Sequence, residues 1–295
     1  MKKVSEGFLV FLFVLSACHI RANDTTIKVR PATRKLCVAT AQGLAYAGTF
    51  TFLNEAWYKH YERSSFHRFD DSGEWMQMDK VGHAYSTYWG AMYFYVANNW
   101  AGYGRGTSLT LSALEAWACV STIEIFDGFS RHWGASPTDL LANTAGSLMF
   151  AGQEFFLGEQ VALLKFSYWP SVYADRRPDE LGATFQQRII KDYNAQVFWL
   201  SVNARKTTSL GFVPRWLNVA VGYGAKGLVE GRETNFSREL GVNRSRRYFL
   251  SLDVDMRQIR TRSKVLRTFF FVASMLKFPF PCLEYGAGQV KITVR

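Results

Sequence analysis

The chain is short of cysteine and proline, with four of the first and seven of the second in 295 residues. Cys18, Cys37, Cys119 and Cys282 show no CxxC spacing, so the pattern supports neither a disulfide framework nor a zinc knuckle. With Cys18 set aside, the odd remainder leaves at least one thiol unpaired. No GxSxG surrounds Ser130 and no strand pattern precedes it, which removes the nucleophile elbow of α/β-hydrolases. Gly222-Tyr223-Gly224 and Gly286-Ala287-Gly288 are not phosphate loops, and both read as strand ends. Alternating apolar runs are too few for a transmembrane barrel, which takes roughly eight strands or more. Acidic residues are outnumbered, giving a net charge of +11, yet no clean basic tract exists; Arg244–Arg247 and Arg257–Lys264 are the densest stretches.

What is present begins at the N-terminus. Lys2 and Lys3 precede an apolar run from Phe8 to Ala17 that is too short to span a bilayer, the layout of a secretory signal. The run ends in Leu15-Ser16-Ala17-Cys18, which resembles the bacterial lipobox, where small residues suit the signal peptidase and the cysteine thiol takes a diacylglyceryl group. The resemblance implies a signal peptide over 1–17, a lipidated Cys18 and a linker over 18–35. Ordinary secretion with cleavage after Ala22 is the alternative. An exported chain is not expected to meet nucleic acid. The basic balance therefore points to anionic lipid headgroups or acidic envelope polymers, or to a solvated basic face.

Four segments then carry helical texture. Leu36 to Asn54 is rich in Ala, Gly and aromatics and continues through Tyr58; a charged, aromatic linker runs from Glu62 to Trp75. A second helix is expected to start near Asp79, whose carboxylate complements exposed amides, and to end at Gly102 and Gly104. A third spans Ser108 to Phe126, and a fourth starts at Ser136-Pro137, an N-cap residue followed by proline in the first turn. All four approach bilayer-spanning length but are diluted with polar residues, so they suit either membrane helices or a buried bundle. After Phe166 the texture turns to short alternating runs: Val197–Asn203, Leu217–Tyr223, Tyr248–Asp255 and Val290–Val294. In the third, Tyr248, Leu250, Leu252 and Val254 face one way, with Ser251, Asp253 and Asp255 opposite, the signature of a half-buried strand. Arg262–Leu276 reads as a further helix. The expected fold is α+β: an N-terminal bundle of about four helices over 36–165, then a small antiparallel β-rich region over 166–295.

Ionisable residues inside or beside the apolar helices are the most informative feature, because a buried charge without a partner costs several kcal/mol. Asp79 and His83 stand one turn apart on the second helix with Lys80 adjacent, Glu124 and Asp127 share the end of the third, and Asp139 and Asn143 repeat the one-turn spacing on the fourth. Oxygen and imidazole ligands at such spacing suit a divalent metal, with Asp79, His83 and Glu124 as candidate ligands. His83 with a carboxylate also suits acid/base chemistry, with Asp79, Glu124, Asp127 and Asp139 as further candidates. Lys80, Asn143 and Ser130 are candidate ligand-binding groups, although the surroundings of Ser130 favour a turn-forming role. A network that merely fixes helix register stands beside these readings, and no cofactor is indicated.

The blocks Asp79-Lys80-Val81-Gly82-His83, Glu124-Ile125-Phe126-Asp127 and Ser136-Pro137-Thr138-Asp139 with Asn143 and Gly146 together resemble the VanZ-like superfamily. With the lipobox in front, the chain looks like the YfiM-type lipoproteins that carry the domain of unknown function DUF2279. The VanZ-like pattern often has Gln where Asp127 stands and Arg in the following loop, for which Arg131 is the nearest residue. The resemblance covers about residues 36–165 and implies a cell-envelope protein, an outer-membrane lipoprotein facing the periplasm or alternatively one of the inner membrane. Three roles follow as expectations: binding or positioning an amphiphile or envelope component, a metal-assisted or His-based hydrolase of a lipid-linked substrate, or a scaffold for an envelope protein partner.

Overall fold

The computed structural model describes residues 30–56, 58–208 and 210–295. The signal segment, Cys18 and most of the linker over 18–35 lie outside the described residues. The fold is α+β, with long helices in the N-terminal half and a six-stranded antiparallel sheet in the C-terminal part. Two compact units result. The first comprises 30–70, 86–159 and 261–272, and the second 71–85, 160–260 and 273–295.

The helical unit is built from α1 (Pro31–Ala56), α2 (Met78–Ala101, whose first two turns belong to the second unit), α3 (Arg105–Gly128) and α4 (Pro137–Leu157). The stops are glycines in left-handed conformation, Gly102 after α2 and Gly158 after α4, where a side chain would be strained. Ser136 caps α4 by accepting the Asp139 amide at 3.1 Å, with Pro137 in the first turn. Side-chain contacts fix an up-down-up-down order. Asn98 of α2 bonds Ser112 of α3, and Gly90 lies so close to Ala116 that a Cβ there would stand 3.3 Å from the alanine methyl. Ser147 of α4 donates to the Ala113 carbonyl and Asn143 to Ser121, running α4 back along α3. Gln42 reaches Glu115, Tyr46 reaches Thr122 and Phe50 stacks on Phe126, laying α1 parallel to α3. Among the described residues, two helices are long and apolar enough to cross a membrane by length and composition, Pro31–Glu55 and α3. A fifth helix, α5 (Lys264–Ala273), packs Phe271 against Trp89 and Tyr93.

The sheet unit is a meander in chain order: β1 (Ala162–Tyr168), β2 (Gln196–Asn203), β3 (Leu217–Lys226), β4 (Ser245–Val254), β5 (Pro281–Gly286) and β6 (Gln289–Val294). It curls back on itself, because the chain leading into β5 returns to β1 through a parallel bridge between Phe166 and Leu276. The Phe166 amide donates to Met275 and its carbonyl accepts from Lys277. Gly222 and Gly224 sit inside β3 rather than at its end: a Cβ on Gly222 would lie 2.7 Å from the Trp199 ring, and one on Gly224 would press on Val197. The expectation of a strand end fails because the glycines make room for inward-facing rings. Gly286-Ala287-Gly288 does form the turn, with positive φ at Ala287 and Gly288 between β5 and β6.

The alternation in β4 holds, but its sense is inverted. Ser251, Asp253 and Asp255 are buried, while Tyr248, Leu250 and Leu252 are about half exposed. The concave side of the curled sheet carries Trp199, Phe249, Ala220 and Cys282 in one layer. Beside it lies a charged layer. Lys165 and Asp253, both 0% exposed, pair at 2.7 Å; Ser201 donates to the same carboxylate at 2.6 Å, and the buried Lys277 lies 3.9 Å from it. Burial drives both lysines to lower pKa, ahead of the opposing attraction of Asp253. The convex side of β1 and β2 is covered by the segment 75–85, through Met78, Val81 and Tyr85 against Phe166 and Phe198.

Candidate functional site at the end of the helical unit

The end of α3 gathers most of the polar groups singled out in the sequence. Glu124, one turn before the helix end, is 3% exposed and accepts the Ser136 backbone amide at 2.8 Å. That contact ties α3 to the N-cap of α4, so Asp139, also buried, stands on the first turn of a helix whose start is held by Glu124. One turn further, Asn143 is wholly buried, donating to Ser121 at 3.1 Å and accepting from Thr87 of α2 at 3.2 Å. Carboxylate, hydroxyl and amide groups thus line the α2–α3–α4 seam where small residues allow close approach.

Asp127 points to a different neighbour. It accepts the Tyr58 hydroxyl at 2.8 Å. The Tyr58 phenol is pushed well above its ordinary range, first by burial and then by the charges of Asp127 and Glu124, so it stays a proton donor at every physiological pH. Tyr58 also forms one wall of a cavity of about 290 Å³. Its apolar lining comes from Tyr61, Ile125, Phe126 and Phe129, and its polar edge from Glu62, Arg63, Ser64 and Ser130. The frame is backbone: Ser64 and His67 donate to Phe129 and Gly128, and Arg131 donates to Glu62. Phe66 fills the space over Gly128, where a Cβ would meet its ring at 2.2 Å.

Ser130 is buried and accepts the His132 amide at 3.3 Å, the turn role foreseen for it, while also lining the cavity. His132 and Trp133 pack on Tyr61, at 4.6 and 4.4 Å between ring centres. Arg131 is exposed and pairs with the exposed Glu62 at 2.5 Å, so it serves the surface of the loop. Asp79, Lys80 and His83 lie in the first two turns of α2, in the second unit. There Lys80 is held between Asp71 at 2.6 Å and Asp79 at 2.8 Å. Burial raises the Asp79 carboxyl above the ordinary range and outweighs the opposing attraction of Lys80. Oδ1 of Asp79 is buried with no hydrogen-bond partner among the described residues. Lys80 is therefore a clamp on two carboxylates.

The cavity was not foreseen in the sequence. Its walls come from segments about seventy residues apart, and the available signal, Phe126 and Phe129 one turn apart with Tyr58 and Tyr61 at the same spacing, is equally that of core packing.

Residues 67–151, from the loop before α2 through most of α4, match the family model described as predicted periplasmic lipoprotein (DUF2279). No curated protein and no solved structure matches the chain. The family description implies the cell envelope and is consistent with membrane association, and it carries no specific activity.

Proposed function

We propose that the helical unit binds the apolar portion of an amphiphile of the cell envelope in the cavity beneath Tyr58 and Phe126. The observation that carries this reading is the cavity itself, an apolar, aromatic space of about 290 Å³ whose edge is polar. Such a space fits an acyl or isoprenoid segment, with a headgroup at Ser130, Arg63 and Ser64. The Tyr58–Asp127 bond stiffens its inner wall, and Asn143 and Glu124 hold the helices that form it. Lipidated Cys18 would keep the protein at the membrane that supplies the ligand, by preference the outer membrane on its periplasmic face. A YfiM-type, VanZ-like ancestry is part of the same reading. Native mass spectrometry of gently solubilised protein tests it. Wild type is expected to carry a lipid adduct that Ile125→Trp, which fills the cavity from an exposed position, has lost; wild type without adduct sinks the idea.

A second reading is a metal-assisted or His-based hydrolase of a lipid-linked substrate, its divalent cation held by His83 and Asp79, one turn apart on α2. One observation favours it. Asp79, one turn before His83 on α2, keeps a buried Oδ1 that has no hydrogen-bond partner among the described residues. Imidazole with carboxylates suits zinc or manganese. Metal analysis after dialysis against each ion should find stoichiometric metal in wild type and none in a folded His83→Ala variant. Equal metal in both would end this reading.

A further inference from the structure

The convex face of β3 to β6 is apolar, and open except where Tyr223 and Ala225 of β3 pack against Met76 and Met78. Val219 and Leu252 form one row across the strands, and Val221, Leu250, Leu283 and Ile292 form the next, all exposed and Ile292 76% so. The register continues into a row of Tyr223, Tyr248 and Tyr285. Beyond it Arg246 follows on the same face of β4. At the other end of β3 the exposed Trp216 stands next to Arg215. This is an aliphatic band with a tyrosine rim at one end, followed by arginine, and an exposed turn carrying Arg215 and Trp216 at the other end of β3.

The concave side explains how such a face survives folding. An ordinary two-sided sheet puts its aliphatic row inward; here the inward positions hold Lys165, Asp253, Ser201 and Asn218, paired and fully buried. The charges are satisfied inside, and the aliphatic residues are left outside, the arrangement of strands whose outer surface meets lipid. Rows lie about 7 Å apart along a strand. Laid flat on the bilayer, this face reaches only the upper part of one leaflet with its side chains, and the tyrosine row lies at headgroup level.

We propose that the convex face of β3–β6 is a membrane-contact surface that inserts shallowly into a leaflet containing anionic lipid, independently of the acyl anchor. A second copy of the chain suits the face less well, because packing two such faces would bring arginines of like charge together. Anionic headgroups complement those arginines and the net charge of +11. A basic amphipathic helix elsewhere in the chain has the same character: α5 exposes Val265, Leu266 and Phe269 beside Lys264 and Arg267.

The test is flotation of the full chain carrying Cys18→Ala, which removes lipidation, with vesicles of phosphatidylglycerol and phosphatidylcholine. Val221→Asp with Leu250→Asp in that background should weaken partitioning by about tenfold or more. Circular dichroism should be unchanged, since both sites are solvent-facing. An environment-sensitive dye on Leu250→Cys should shift to the blue on vesicle addition and be quenched by lipids brominated near the headgroup. Equal flotation of the Asp variant, or a dye that stays in water, overturns the proposal. So does a lipid-free dimer that the Asp pair dissociates, which would assign the face to a second copy.

Discussion

The two units bury polar groups in opposite ways. In the helical unit they sit in the seams between helices, each bonded across to a neighbouring element: Glu124 to the Ser136 amide, Asn143 to Ser121, Asp127 to Tyr58. They leave a cavity beside them. In the sheet unit the charged groups fill the interior. Lys165 donates to the Val254 carbonyl as well as to Asp253, whose other oxygen takes the Phe278 amide. Lys165 and Asp253 are thus matched to each other and to backbone groups on either side, which is what a structural network requires. A network that closes on itself stabilises a fold, whereas the helical network also shapes the wall of a cavity through the Tyr58–Asp127 bond.

The largest effect should come from opening the sheet interior. Asp253→Ala leaves Lys165 buried without its carboxylate, and denaturant unfolding should show a loss of about 3–5 kcal/mol. Replacing the pair together, Asp253→Leu with Lys165→Met, should recover most of it. If the double variant is as unstable as the single one, the interior has a role beyond packing and the contrast between units breaks. In the bundle, Glu124→Ala strands the Ser136 amide and should cost about 2 kcal/mol, read as an unfolding midpoint shift. Ser136→Ala removes only the cap and should cost about 1 kcal/mol. A Ser136 effect larger than that of Glu124 would mean that the carboxylate is not what holds α4.

The smallest effect is a pH slope. Because burial raises the folded-state pKa of Asp79, the folded chain keeps a proton that the unfolded chain has released. Stability should therefore fall as pH rises from the ordinary carboxylate range through the raised value. Asp79→Asn should flatten that slope when unfolding midpoints are compared across the range. An unchanged slope would place the titration on another group, of which Glu115, also raised by burial, is the first to test.

Helix starts and stops were readable where chemistry is local. Ser136-Pro137 begins α4, Asp79 lies in the first turn of α2, and Gly102 ends it. Four of the six strands stood out by alternation. β1 escaped because Lys165, an inward residue, breaks its apolar pattern, and β5 because it opens on Pro281. The period of β4 was legible but not its sense: alternation says that the two sides differ, and only the curl of the sheet decides which side closes. For the site, the sequence marked Glu124, Asp139 and Asn143, since a charge in an apolar helix must find partners. It did not mark Tyr58 or Phe126 as cavity walls, because an aromatic residue in a core and one around a void look alike until the chain between them is placed.

The most direct test of the account is a calorimetric titration of a single-chain lysophospholipid into wild type and Ile125→Trp, with the unfolding midpoint of each recorded. The account predicts saturable binding by wild type and its loss in the variant at an unchanged midpoint. Equal binding by both proteins, with the cavity filled in one, would contradict it.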